Sequence, residues 1–147
     1  MIGATSLTLK PSLLPMIALR LSVPLLRLAP KRWVRRRAAG HSTCSEGARG
    51  HLDRTARRVS DGTLVHARGS FVDAIRHIDP RRRLRVPTLV CHGEHDLSGI
   101  IASAAPEWAR RHPLVRHHVV PGAGHLAHRD NPGATARVVL DFLRDFR

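Results

Sequence analysis

Apolar and polar positions follow two different rhythms along this chain. From Ser12 to Leu28 apolar residues crowd together: Leu13, Leu14, Met16, Ile17, Leu19, Leu21, Val23, Leu25, Leu26 and Leu28. Pro15, Arg20, Pro24 and Arg27 interrupt them. The run therefore predicts a broken helical segment, because a membrane span takes about 20 uninterrupted apolar residues. The same interruptions leave no clean h-region for a signal peptide. Lys31 to Arg37 continues as a basic helical run with Trp33 and Val34 turned inward. Gly40 to Gly50 reads as a loop by composition. His51 to Val59 predicts a short helix, with Leu52, Ala56 and Val59 on one side and an Asp53–Arg57 pair at i, i+4. Asp61-Gly62 marks a turn. Thr63 then caps a helix running to about Ile78, where Leu64, Val65, Phe71, Val72, Ile75 and Ile78 recur at helical spacing until Asp79-Pro80.

Beyond Arg81 the rhythm shortens. Val86-Pro-Thr-Leu-Val-Cys91 is an apolar strand that breaks at Gly93 and meets Glu94 and Asp96. A helix starting near Ser103, with Pro106 in its first turn, comes next. A second strand, about Val115 to Val120, breaks at Pro121-Gly122-Ala123-Gly124 and delivers His125. The last helix opens with Asn131 as cap and Pro132 at its first position, and Val139, Phe142, Leu143 and Phe146 form its apolar stripe. No internal repeat is visible.

Where two strands joined through a helix are parallel neighbours, their following loops leave at one sheet edge. In open α/β sheets that carboxyl edge is where ligands bind. Asp96 and His125 each sit just past a strand end. An Asp that orients a His acting as general base is two thirds of a nucleophilic triad.

There are 11 histidines, and only His125 follows both a strand end and a Gly-rich turn. His92 and His95 share one loop with Asp96, but a metal centre needs ligands converging from identifiable elements, and no second cluster exists. No metal is expected. His117 and His118 are neighbours in a strand and must point to opposite faces. His128 reads as exposed loop.

The segments Pro87-Thr-Leu-Val90, Gly93-Glu-His-Asp96 and Pro121-Gly-Ala-Gly-His125 together resemble the C-terminal part of the α/β-hydrolase superfamily. Matched residue by residue, Asp96 takes the place of the triad acid and His125 that of the triad histidine. The resemblance implies an α/β fold: the C-terminal strands of a mostly parallel sheet with flanking helices and a helical cap segment. It divides the chain into a core-strand remnant at 1–6 (Met1-Ile-Gly-Ala-Thr5 looks like the end of the strand after the elbow helix), a cap at 7–80 and the C-terminal core at 81–147. It implies a hydrolase of esters, lactones or related bonds, with no cofactor.

The family's nucleophile lies on a G-x-S-x-G elbow between a strand and a helix, ahead of the acid and the histidine. The near match here is Gly40-His-Ser42-Thr-Cys44. Arg35-Arg-Arg-Ala-Ala39 before it is no buried strand, and Cys44 stands where the sharp turn wants glycine, so Ser42 is expected in a loop between cap helices. The chain is accordingly read as about the C-terminal half of such an enzyme, without useful esterase activity by itself.

Length and charge change this picture little. The chain has 147 residues, enough for one modest domain. Its net charge is +14, which raises nucleic acid or an anionic membrane surface as partners. Only Lys10 and Lys31 are lysines, aromatics make up 3% and Tyr is absent, so base-stacking platforms are missing and no nucleic-acid partner is expected. Residues 1–40 hold eight basic residues and no acid; the plain reading is a solvated helix face. Cys44 and Cys91 make no disulfide framework, and a reducing cytoplasm is the expected compartment. The expected partner is a small ester-like substrate, bound once an N-terminal half completes the site. The alternatives are a non-catalytic binding module of the same half fold and, behind it, a basic nucleic-acid or membrane-surface binder.

Overall fold

The computed structural model describes residues 8–9, 12–81, 83–97 and 99–145. The proposed strand remnant at 1–6 lies outside them. Four helices come first: α1 (Leu13–Leu28), α2 (Lys31–Ser42), α3 (Glu46–Arg58) and α4 (Asp61–Arg76). An α/β part follows: β1 (Thr88–Gly93), α5 (Gly99–Arg111), β2 (Val115–Val120), α6 (Ala127–Asp130) and α7 (Pro132–Arg144). The fold is α/β, with a parallel two-stranded sheet among the described residues.

The strands pair in register from Thr88↔Val115 to Gly93↔Val120. Successive strand residues face opposite ways, and the two faces carry separate cores. Val90 and Val115 pack with Ala105 and Trp108 of α5. Cys91 and Val120 pack with Ala123, with Ala127 of α6 and with Ala134 of α7. Trp108 is wholly buried and makes α5 the sheet's cover on its side. Leu19 of α1 meets Val72 and Ile75 of α4 in a third cluster. Burial holds the Cys91 thiol above its usual pKa, as befits a small core hydrophobe.

Several boundaries differ from those expected. β1 begins at Thr88 rather than Val86, because Pro87 has no N–H for the ladder, whereas Thr88 N–H donates to Leu114 O at 2.7 Å. α1 is continuous through Pro24. Only Thr43 to Ser45 forms loop in the expected 40–50 loop. Ser45 Oγ accepts from Ala48 N–H, and Glu46 lies in the first turn, an N-terminal signal strong enough to carry Gly47 and Gly50 in a helix. α4 is capped by Ser60 Oγ, which accepts from Thr63 N–H at 3.1 Å; Thr63 is not the cap. α5 starts at Gly99, so Pro106 falls inside the helix rather than in its first turn. α7 opens as expected, with Asn131 Oδ1 accepting from Ala134 N–H at 3.1 Å. Its most buried residues, however, are Ala134 and Thr135; Val138, Val139 and Phe142 are partly buried, Leu143 is 52% exposed, and Phe146 lies outside the described residues. The small residues win because α7 lies close over α6 and the Cys91–Val120 face.

Candidate active site

Because β1 and β2 are parallel and in register, the loops after Gly93 and Val120 leave at the same edge. Backbone hydrogen bonds stitch them together. Glu94 N–H donates to Val120 O at 3.0 Å and His95 N–H to Ala123 O at 2.8 Å. Glu94 Oε2 in turn accepts from Gly122 N–H at 2.9 Å. Gly122 has φ +64°, the left-handed region that favours glycine. Gly93 is needed for a different reason. A Cβ there would lie 2.1 Å from the carbonyl oxygens of both Ala123 and Gly124, so only glycine lets the two loops cross.

That crossing brings Asp96 and His125 together, with His125 Nδ1 3.1 Å from Asp96 Oδ2. The Asp96 side chain has no exposed surface and that of His125 is 27% exposed. A histidine whose Nδ1 faces a buried carboxylate is held in one orientation.

Asp130 was not anticipated. It lies five residues beyond His125, at the end of α6, and its carboxylate joins three segments. Oδ2 accepts from Gly124 N–H at 2.8 Å and from Cys44 N–H at 2.9 Å. Oδ1 accepts from Ser45 N–H at 3.2 Å and from the Thr43 hydroxyl. Leu126 N–H adds a bond to Ser42 O at 2.8 Å. The histidine loop is thus fastened on both sides of His125 to the turn between α2 and α3. Burial works against the charge on Asp130, but the hydrogen bonds from Thr43, Cys44, Gly124 and Ser45 outweigh it and hold the carboxyl below its usual pKa. An acid shortly after a loop histidine was the available signal, but three of its four partners, Thr43, Cys44 and Ser45, lie more than eighty residues away.

Ser42, the serine of the near-elbow, is the last residue of α2, so no strand leads into it. Its hydroxyl turns back to donate to Ala38 O at 2.6 Å. His92 is buried and stacks on His117 with ring centroids 4.9 Å apart, while the side chain of His95 is 58% exposed. These two do not converge, and among the described residues no group of three metal-ligating side chains gathers. His117 is held below its usual pKa by burial and then by His92 and His118. His128 is exposed as expected, but on the short helix α6.

The profile of the alpha/beta hydrolase family matches residues 3–138. The chain belongs to the alpha/beta hydrolase family. No protein of curated function matches it significantly. The family match spans both parts of this hydrolase-family chain, the four leading helices and the sheet that bears Asp96 and His125. No helix among its described residues is long and apolar enough to cross a membrane.

Proposed function

We propose that this alpha/beta hydrolase chain supplies the acid and the base of a nucleophile–His–Asp triad that cleaves an ester, lactone or related acyl bond. The observation that carries the reading is the 3.1 Å contact between His125 Nδ1 and the buried Asp96 carboxylate at the carboxyl edge of the sheet. With Asp96 ionised, the carboxylate only accepts, so Nδ1 bears the proton and Nε2 takes up the nucleophile's proton. The resulting imidazolium is stabilised by Asp96 and returns the proton to the leaving group. Water then reverses the sequence on the covalent intermediate. In this reading α1–α4 form the cap, no cofactor takes part, and the nucleophile comes from an N-terminal half that completes the site. Ser42 is not taken as that nucleophile, because it ends a helix with no strand leading into it and its hydroxyl donates back to Ala38 O.

The test is made on the native protein from its source cells. Its mass and N-terminus are measured, and it is treated with a serine-reactive fluorophosphonate. The expected result is a longer or two-part enzyme that is labelled, with labelling lost in His125→Ala. Absence of labelling in every native form that contains this chain would sink the catalytic reading. A non-catalytic binding module of the same fold would then stand, favoured by the cationic cleft described next.

A further inference from the structure

Arginine side chains line one open cleft beside the acid loop. Arg32, Arg36, Arg37 and His41 of α2, with Arg49 of α3 and Leu97, line a cavity of about 720 Å³, and among the described residues no acid lines it. The same helix shows what a structural arginine looks like. Arg35 points the other way and is spent on Ala56 O, Val59 O and Asp61. Arg32 and Arg36 have no acidic partner among the described residues, and at i, i+4 their like charges oppose the helix. Arg37 lies over the Trp33 ring, 5.1 Å from its centroid.

A second groove adjoins the first across the Trp33–Arg37–His41 ridge of α2. It measures about 350 Å³ and is lined by Leu25, Leu26, Ala29 and Val34, with Trp33, Arg37 and His41 shared between the two. Leu26, Ala29 and Val34 are partly buried there, whereas Leu14 and Leu28 outside it are 79% and 85% exposed. The floor of the groove, Leu26, Ala29 and Val34, is therefore partly buried, while Leu25 at 64% and Trp33 at 56% stay exposed at its rim, and its volume is that of a small-molecule site. Its position is informative. Leu97 follows Asp96 directly, and His41 precedes Ser42, whose carbonyl holds the amide of Leu126 beside His125.

We propose that this double cleft binds an anionic amphiphile, its alkyl or acyl chain in the groove between α1 and α2 and its carboxylate or phosphate among Arg32, Arg36 and Arg37. The substrate class is then an ester or thioester that carries such an anionic group. The word substrate rests on the triad reading; the binding does not. Two adjoining grooves of about 720 and 350 Å³ are each the size of a site for a single molecule.

The full chain is titrated with decyl phosphate below its micelle concentration, with Trp33 fluorescence as the readout; Trp108 is buried and gives a constant background. Saturable one-to-one binding is expected, at least about tenfold tighter than decanol or inorganic phosphate. Trp33→Phe removes the signal. Arg36→Gln with Arg37→Gln weakens binding by about tenfold or more, with Lys at both positions restoring most of it and circular dichroism unchanged. Arg20→Gln with Arg85→Gln removes the same charge elsewhere and changes affinity by less than about twofold. His125→Ala leaves binding intact, so a failed triad and a failed cleft give different results. Decanol binding as tightly as decyl phosphate would overturn the proposal. So would equal losses in the two double variants, or binding to anionic lipid vesicles but not to monomeric decyl phosphate.

Discussion

The loops that carry Asp96 and His125 and the helices that precede them are held by different forces. The loops are closed by backbone amides and one carboxylate. Gly93, Ala123 and Gly124 touch backbone to backbone, and Asp130 gathers donors from both sides. In α1 the order comes from one apolar seam, Leu19 against Val72 and Ile75, while Leu13, Leu14, Leu25 and Leu28 remain largely exposed. A hydrogen-bonded crossing tolerates no displacement, because each unmade buried bond costs more than a made one contributes. An apolar seam slides and repacks at lower cost. The rigid part presents the proposed acid and base, and the looser part borders the cleft where a ligand would enter.

The contrast can be broken most sharply at Gly93. Gly93→Ala puts a methyl against two carbonyl oxygens and should cost about 4 kcal/mol, with loss of the His125 ring signals from their native positions in NMR. Unfolding in urea with an unchanged midpoint would show that the loops do not cross as described. Leu19→Ala, in the apolar seam, should cost about 3 kcal/mol while leaving the His125 signals in place. Asp130→Ala comes next, at about 2 kcal/mol. It should broaden the His125 signals and speed amide exchange at Gly124 and Cys44 together, whereas the seam variant should do neither.

Acid acts more gently, on the sheet and its loops. His117 resists protonation in the fold, so its unfolded form binds the proton first. Its contribution is whole above about pH 6.5 and is lost as pH falls from there toward its lower folded value. Asp130 is depressed in the fold, so its contribution is whole above the ordinary carboxyl value of about 3.9 and is lost as pH falls through its folded value. Stability measured against pH should therefore fall in two stages. His117→Gln should remove the first and Asp130→Asn the second. The smallest effect is expected at Leu14→Gln, within about 0.5 kcal/mol, because Leu14 is 79% exposed; a larger loss by thermal melt would mean that α1 is covered.

How much was legible follows from how local each signal was. The second strand, the Gly-rich breaks and the Asn131-Pro132 helix start stood in the sequence, because strand periodicity, turn glycines and caps act within a few residues. The Ser45 and Ser60 caps were equally local and were obscured by the glycines around one and by Thr63 beside the other. In α7 the expected Val139 and Phe142 are partly buried, but bulk alone does not say which side meets a close neighbour: Ala134 and Thr135 fit against α6, and Leu143 does not.

By itself the sequence determined that an acid and a histidine each follow a strand end, and that glycine stands wherever those loops must turn. These are properties of short segments and their dihedral freedom. Only the tertiary structure decided that Asp96 and His125 meet, that Asp130 binds the histidine loop to Thr43, Cys44 and Ser45, and that Arg32, Arg36 and Arg37 share one cleft with Leu97. Those contacts depend on strand register and on how helices dock, which are settled by burial of the whole chain and leave no mark in any one stretch of it.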